Sequence, residues 1–205
     1  MRSAAQQSFR AGRPVVLLDE RFGRAPATLV VAAEAIDAET MAFVVRYSGG
    51  FVTVALPSWR CDQLGLPAIA SDPHYRSRPI AAVATDAAAG VTTGISAADR
   101  SFTARLLADP ATTVDQLSRP GHVVPMRVPQ LVGLGITSAW AAGLRLCALT
   151  YLEAGAVCSE LVTDGGELLS TAAGLEFAQG HGLEALTLGD VTRMSIDAPA
   201  TAQSA

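Results

Sequence analysis

His122 is the residue of this chain best suited to moving a proton near neutral pH, because an imidazole can act there as general acid or base. It stands in Arg119-Pro120-Gly121-His122-Val123-Val124-Pro125, where Arg119 reads as an anchor of the loop. The other histidines have no such setting: His74 lies in a polar stretch and His181 follows a helix end, so both read as solvated. Thr92 and Thr93 precede a helix start at Ser96. Backbone N–H groups and hydroxyls at such a start favour an anion, although the same residues can equally do no more than build the turn and cap. Thr137 and Ser138 pose the same pair of readings, substrate contact or helix cap. Asp19 and Glu20 read as a solvated turn after the first strand. Cys61, Cys147 and Cys158 match no zinc or redox spacing and read as buried free thiols.

Short apolar runs must position these groups. Strands are expected over 15–18, 29–33, 51–56, 80–85, 123–127, 156–162 and 185–188, each bounded by Gly, Pro or Asp. Helices are expected between them. Asp37 caps one over 38–47 with Met41, Val44 and Val45 inward, and Ser96 with Asp99 reads as a capping box opening another to about Ala108, where Asp109-Pro110 stops it. A third is expected from Thr137 or Ser138 to about Leu149, and a fourth over 168–180, closed by Gly180 and Gly182. Strands alternating with helices, without an internal repeat or linker, predict one compact α/β domain over 1–196 and a fraying tail over 197–205.

Composition bounds the function. With 205 residues, half of them hydrophobic and 17% charged, the chain can bury a sizeable core. A formal charge of −4 offers no basic field for nucleic acid. No apolar run reaches membrane-spanning length, and 1–14 lacks the apolar core of a secretion signal, so a cytoplasmic location is expected.

Several segments, in order, resemble the 3,4-dihydroxy-2-butanone 4-phosphate synthase family. The most specific are Gly90-Val91-Thr92-Thr93-Gly94-Ile95-Ser96-Ala97-Ala98-Asp99-Arg100 and Arg119–Pro125; Arg13-Pro14-Val15-Val16-Leu17-Leu18-Asp19, Ser48-Gly49-Gly50 with the run after it, and Ala154-Gly155-Ala156-Val157-Cys158 support them. The resemblance covers about residues 9 to 196. It implies an α/β/α sandwich, a homodimer, and Mg²⁺-dependent conversion of ribulose 5-phosphate to dihydroxybutanone phosphate and formate. It also implies that His122 is the essential histidine of the family.

The family's other site positions are changed here. Aligned on the family pattern, its metal-binding glutamate falls at Arg24, its substrate-binding arginine at Gly23 and its substrate-binding aspartate at Thr28. A second segment places its arginine at Gly133, its metal-ligating histidine at Ile136 and its glutamate at Ser138, with Thr137 retained. A guanidinium cannot ligate Mg²⁺. The catalytic glutamate of the late strand falls at Ser159, so Ser159 is expected to line the pocket, and Glu160 to point away unless a β-bulge turns it in. The expected site is therefore His122, Ser159 and Glu160 for chemistry, with Thr28, Thr92, Thr93, Thr137, Ser138 and Arg24 around a small-molecule substrate. No metal ligand is expected, nor any cofactor unless Mg²⁺ is kept with the family reaction. Arg127 or Arg145 could also meet an anion, and the changed loop with Tyr75, Arg76 and Arg78 implies a changed ligand or none. Three functions remain open: a recruited, metal-independent lyase, elimination or condensation enzyme with a less phosphorylated, more apolar substrate; the retained riboflavin-pathway reaction, through realigned ligands such as Asp19, Glu20 or Glu160; or a non-catalytic dimeric binding protein.

Overall fold

The computed structural model describes residues 3–22, 26–70, 78–129 and 136–195. Its strands are β1 (Val15–Leu18), β2 (Thr28–Ala32), β3 (Thr53–Pro57), β4 (Ile80–Ala81), β5 (Thr85–Ala87), β6 (Leu117–Val128), β7 (Ala156–Glu160) and β8 (Glu184–Thr187). Its helices are α1 (Ala4–Arg10), α2 (Ala38–Tyr47), α3 (Ser58–Gln63), α4 (Ala97–Ala108), α5 (Ala139–Thr150), α6 (Thr171–Gly180) and α7 (Leu188–Arg193). The strands form one mixed sheet in the order β4-β6-β3-β7-β2-β1-β8, with β5 pairing β6; β1/β8 and β3/β6 are parallel and the remaining pairs antiparallel.

Side chains alternate across a strand, and here both faces are apolar. Val16, Leu18, Leu29, Val31, Val54, Leu56 and Val157 pack with Met41 and Val44 of α2, Leu107 of α4 and Ala178 of α6. Val15, Leu17, Val30, Ala32, Ala55, Ala156 and Cys158 pack with Phe9 of α1, Leu146 of α5 and Val191 of α7. Two cores on opposite faces of one sheet make the expected α/β/α sandwich.

Elements with clear caps match their expected bounds. Asp37 accepts the Thr40 N–H at 2.7 Å to open α2, and Ser138, rather than Thr137, accepts the Ala141 N–H at 3.2 Å to open α5. Other expectations need correction. The helix expected over 168–180 begins only at Thr171. Its first residues are held in extended form, Leu168 bridging Val162 and the Leu169 N–H donating to Leu161 O at 2.9 Å, and Ser170 is the cap. The strand expected over 80–85 is two strands. β6 begins six residues before the expected 123, because Leu117 and Ser118 pair with β5 through the Arg119-Pro120-Gly121 segment that reads as a turn. Residues 196–205, with the expected tail, lie outside the described residues.

Candidate functional site

A cavity of about 540 Å³ opens where β2 begins and β7 ends, on the sheet face covered by α5. Strand alternation decides which side chains it receives. Thr28, Thr53, Cys158 and Glu160 share the parity of the α5-side core, so their side chains point to that face. Thr28 and Glu160 are directly paired, and the β2–β7 register runs unbroken from there to Ala32 and Ala156. Thr137, Ser138, Ala139 and Trp140 at the start of α5 form the facing wall; Pro26, Phe51, Ala81, Met126, Val162 and Leu168 complete an apolar lining.

Ser159 is among the lining residues as expected, and Glu160 joins it there. Glu160 turns to the cavity face with no bulge in β7. Ser159 has the opposite parity and is 3% exposed; its hydroxyl lies 3.0 Å from the Phe51 carbonyl and 2.9 Å from Ser48 Oγ. Ser159 therefore ties β7 to the turn before β3 at the cavity wall. Asp19 is also corrected: it lines the cavity instead of standing in a solvated turn. Arg21 grips it through Nη2 at 2.6 Å and Nε at 2.8 Å, and reaches on to the Thr137 carbonyl at 2.8 Å. The Arg21 hydrogen bond holds the Asp19 carboxyl below the usual carboxylate range.

Two residues that sequence reasoning passed over shape this site. The Trp140 indole N–H donates to Thr53 Oγ1 at 2.9 Å, and Thr53 Oγ1 donates to the Cys158 carbonyl at 2.7 Å, so the indole is fixed to the sheet. Thr53 was legible as a polar residue between Val52 and Val54. Trp140 offered no signal beyond its place in the first turn of a capped helix. Cys158 also lines the cavity, but burial pushes its thiol far up, which removes it as a thiolate nucleophile at neutral pH.

His122 is not part of this lining. It stands on β6 with its ring about 40% exposed, and Asp86 of β5 holds it twice: Oδ1 accepts its backbone N–H at 2.9 Å and Oδ2 lies 2.7 Å from Nδ1. A carboxylate only accepts, so Nδ1 carries the proton and Nε2 is left free to take one. Asp86 was missed because it sits in an apolar run. Arg119 anchors its loop as expected, through a hydrogen bond to the Gly65 carbonyl.

Thr92 and Thr93 do not reach the cavity. The Thr92 hydroxyl donates to Asp99 Oδ2 at 2.7 Å and its N–H to Oδ1 at 3.1 Å, while Thr93 is exposed. The capping box is half formed: Ser96 accepts the Asp99 N–H at 3.0 Å, but the Asp99 carboxylate turns to Thr92 and Gly94. Those bonds, the Thr92 hydroxyl first, hold Asp99 below the ordinary carboxylate range. A carboxyl lowered in the fold stabilises above its unfolded titration range and loses that contribution as acid protonates it. We expect the melting temperature of the parent to fall more steeply between roughly pH 5 and pH 3 than that of Asp99→Asn; parallel curves would show that the turn is not charge-held.

Arg127 is engaged elsewhere, on Asp62 at 2.6 Å and the Leu66 carbonyl at 2.8 Å, and Arg145 donates to the Met194 carbonyl at 3.0 Å. Arg24, Gly23, Gly133, Tyr75, Arg76 and His74 lie outside the described residues; Arg78 is exposed.

A hard divalent cation needs about six oxygens, several from carboxylates. Among the described residues the cavity has two carboxylates, Asp19 and Glu160, and Arg21 already neutralises Asp19. Ile136, at a position the family gives to a metal ligand, packs against the α5-side core. Among the described residues no three His, Cys, Asp or Glu side chains gather to hold a metal. This donor set does not fit a resident Mg²⁺ of the family kind. Among the described residues, no helix is long and apolar enough to cross a membrane.

Comparison with known proteins gives the fold a lineage. The 3,4-dihydroxy-2-butanone 4-phosphate synthase family matches residues 3–194. The riboflavin biosynthesis protein RibBA of Salinispora tropica is 40% identical over 187 residues, covering 91% of this chain and 47% of that protein. RibBA of Nocardia farcinica is 37% identical over 189 residues, covering 91% and 46%. The chain thus spans about half the length of the curated relatives it matches. Among solved structures, the Candida albicans 3,4-dihydroxy-2-butanone 4-phosphate synthase aligns with a TM-score of 0.82 at 32% identity, covering 91% of this chain and 93% of that one. A synthase in complex with two magnesium ions aligns with a TM-score of 0.80 at 33% identity, covering 91% and 92%. With the fold and nearly the whole sequence in agreement, the chain belongs to the 3,4-dihydroxy-2-butanone 4-phosphate synthase family.

Proposed function

We propose that this chain is an acid–base enzyme of the family, working as a homodimer on a small oxygenated molecule without a resident divalent cation. The observation that carries this reading is Glu160 beside Thr28 in a hydroxyl-lined cavity whose described lining holds no cationic side chain. Glu160 is the group placed to take or return a proton. Thr28, Thr137 and Ser138 offer hydroxyls to orient substrate oxygens.

His122 supplies a second proton-transfer group, its free Nε2 set by Asp86 but away from its own protomer's cavity. A homodimer accounts for this separation if the partner's surface brings a histidine to the cavity mouth. Exposed apolar residues flank both places, Phe51 at the cavity and Ile95 beside the Gly94 turn, 64% and 52% exposed, as a protein interface would require.

A second reading, retained Mg²⁺-dependent formation of dihydroxybutanone phosphate and formate, is favoured by the identity to RibBA proteins, by the likeness to a magnesium-bearing synthase, and by Glu160 occupying the cavity. One assay separates the two. The purified protein, first checked by light scattering for twice its 21.1 kDa mass, is given ribulose 5-phosphate with and without Mg²⁺. We expect no formate above the protein-free blank in either case. Mg²⁺-dependent formate release would establish the second reading, and a monomeric mass would remove the dimer.

A further inference from the structure

Arg100 places a guanidinium where a fold alone has little use for one. It stands on α4 with 6% of its surface exposed, and its Nε has no hydrogen-bond partner. Among the described residues it forms no ion pair. Its chain neighbour Asp99 is turned instead to Thr92 and Gly94. Burial lowers the guanidinium from the ordinary arginine range, and the charge of Asp86 opposes that shift. A buried charge without a close partner is costly, and an apolar side chain of similar volume often serves a fold as well or better. Departures of this kind from local rules are expected at functional sites.

The surroundings of Arg100 give it a task. Its Nη1 donates to the Gly50 carbonyl at 3.0 Å, and Gly50 lies between Gly49 and Phe51 of the cavity lining. On its other side is the field of Asp86, the carboxylate that holds His122 Nδ1 at 2.7 Å. Asp86 is buried as well, with 7% of its surface exposed, and a neutral imidazole leaves its charge unbalanced. A guanidinium stays protonated and supplies that balance. The ring is then free to remain neutral with Nε2 open to a proton, instead of being locked as an imidazolium–carboxylate ion pair.

We propose that Arg100 is a positioning residue. Its charge balances Asp86 and so keeps the His122 imidazole available as a base, while its hydrogen bond to Gly50 holds the turn at the cavity edge. This role rests on the reading of His122 as a proton-transfer group.

The test compares Arg100→Met, which removes the charge and keeps much of the length, with Arg100→Lys, which keeps the charge. Each protein is labelled with ¹⁵N-histidine, and the His122 signals are assigned by their loss in His122→Gln. At one neutral pH, Arg100→Met is expected to raise the ratio of imidazolium to neutral His122 roughly fivefold over the parent, as removal of a nearby like charge should. Arg100→Lys is expected to return the ratio to that of the parent. Arg100→Met is also expected to melt within about 4 °C of the parent, because the fold does not depend on the charge. An unchanged ratio in Arg100→Met would overturn the proposal, and so would an equal rise in Arg100→Lys, which would mark lost shape rather than lost charge. Failure of Arg100→Met to fold would overturn it too, since the guanidinium would then be structural. The readout needs neither turnover nor metal, so formate release with Mg²⁺ would remove the metal-free reading without touching the Arg100 effect.

Discussion

Gly121→Ala is expected to destabilise the fold severely. A Cβ at Gly121 would lie 2.1 Å from the Thr85 carbonyl carbon, 2.3 Å from the Asp86 nitrogen and 2.5 Å from the Thr85 oxygen. Non-bonded carbons rest at about 3.5–4.0 Å, and all three of these atoms are backbone, so no rotamer change relieves the clash. The contact falls where the β5–β6 register shifts between Thr85 and Asp86. Making room means lifting β5 from β6. That would break the 2.7 Å bond from Thr85 Oγ1 to the Ser118 carbonyl and separate Asp86 from His122. A loss of about 4 kcal/mol or more is expected, a large share of the 5–15 kcal/mol that ordinarily holds a domain together. Melting followed by circular dichroism should show a fall of roughly 10 °C or more. A variant melting within about 2 °C of the parent would mean that the two strands are not packed as described.

Gly94→Ala is expected to act more locally but to strike the same pair. Gly94 has φ +85°, a conformation costly for any residue with a Cβ. The added carbon would fall 2.0 Å from Asp86 Oδ2 and 2.7 Å from His122 Nδ1. The carboxylate has to leave, and with it the group that fixes the imidazole proton on Nδ1. A stability loss of about 2–3 kcal/mol is expected, in the range for a strained backbone and a broken buried bond together. The sharper readout is the ¹⁵N spectrum of the imidazole at high pH. In the parent it should show the proton held on Nδ1, and in Gly94→Ala a mixture weighted to Nε2. An unchanged tautomer would show that Asp86 does not hold the ring.

Much of this architecture was legible where local chemistry and burial agree. Asp37, Ser96 and Ser138 announce helices because a short polar side chain just ahead of an apolar period satisfies N–H groups that the helix leaves open. β1 and β8 read correctly because each is a short apolar run framed by breakers. Three helices were missed. α1 and α7 do carry a signal, the capping boxes from Ser3 to Gln6 and from Thr187 to Asp190, but they are short and polar outside their buried stripe. α3 starts at Ser58 after Pro57, with no side-chain cap, and had no signal to read. The first half of β6 was hidden because Arg119-Pro120-Gly121 has turn composition, yet tertiary pairing with β5 holds it extended. The site divides the same way. His122 stood out by its setting, whereas Asp86, Trp140 and Thr53 matter only through partners distant in sequence, and the side to which Glu160 turns follows from the pairing of β7 with β2.

That parity has an evolutionary consequence. β7 is pinned at both ends, by the Ala33 N–H on the Gly155 carbonyl at 2.9 Å and the Leu161 N–H on the Ala27 carbonyl at 2.8 Å. Within so short a tether, one codon gained or lost cannot be absorbed by sliding. It exchanges which of Ser159 and Glu160 looks into the cavity. A single in-frame indel here would thus trade carboxylate for hydroxyl, at the cost of turning its strand neighbours to the other face as well. Descendants of such a scaffold can cross between acidic and neutral versions of the site in one genetic step, and length variation in this strand is therefore the place to look for changes of chemistry among relatives.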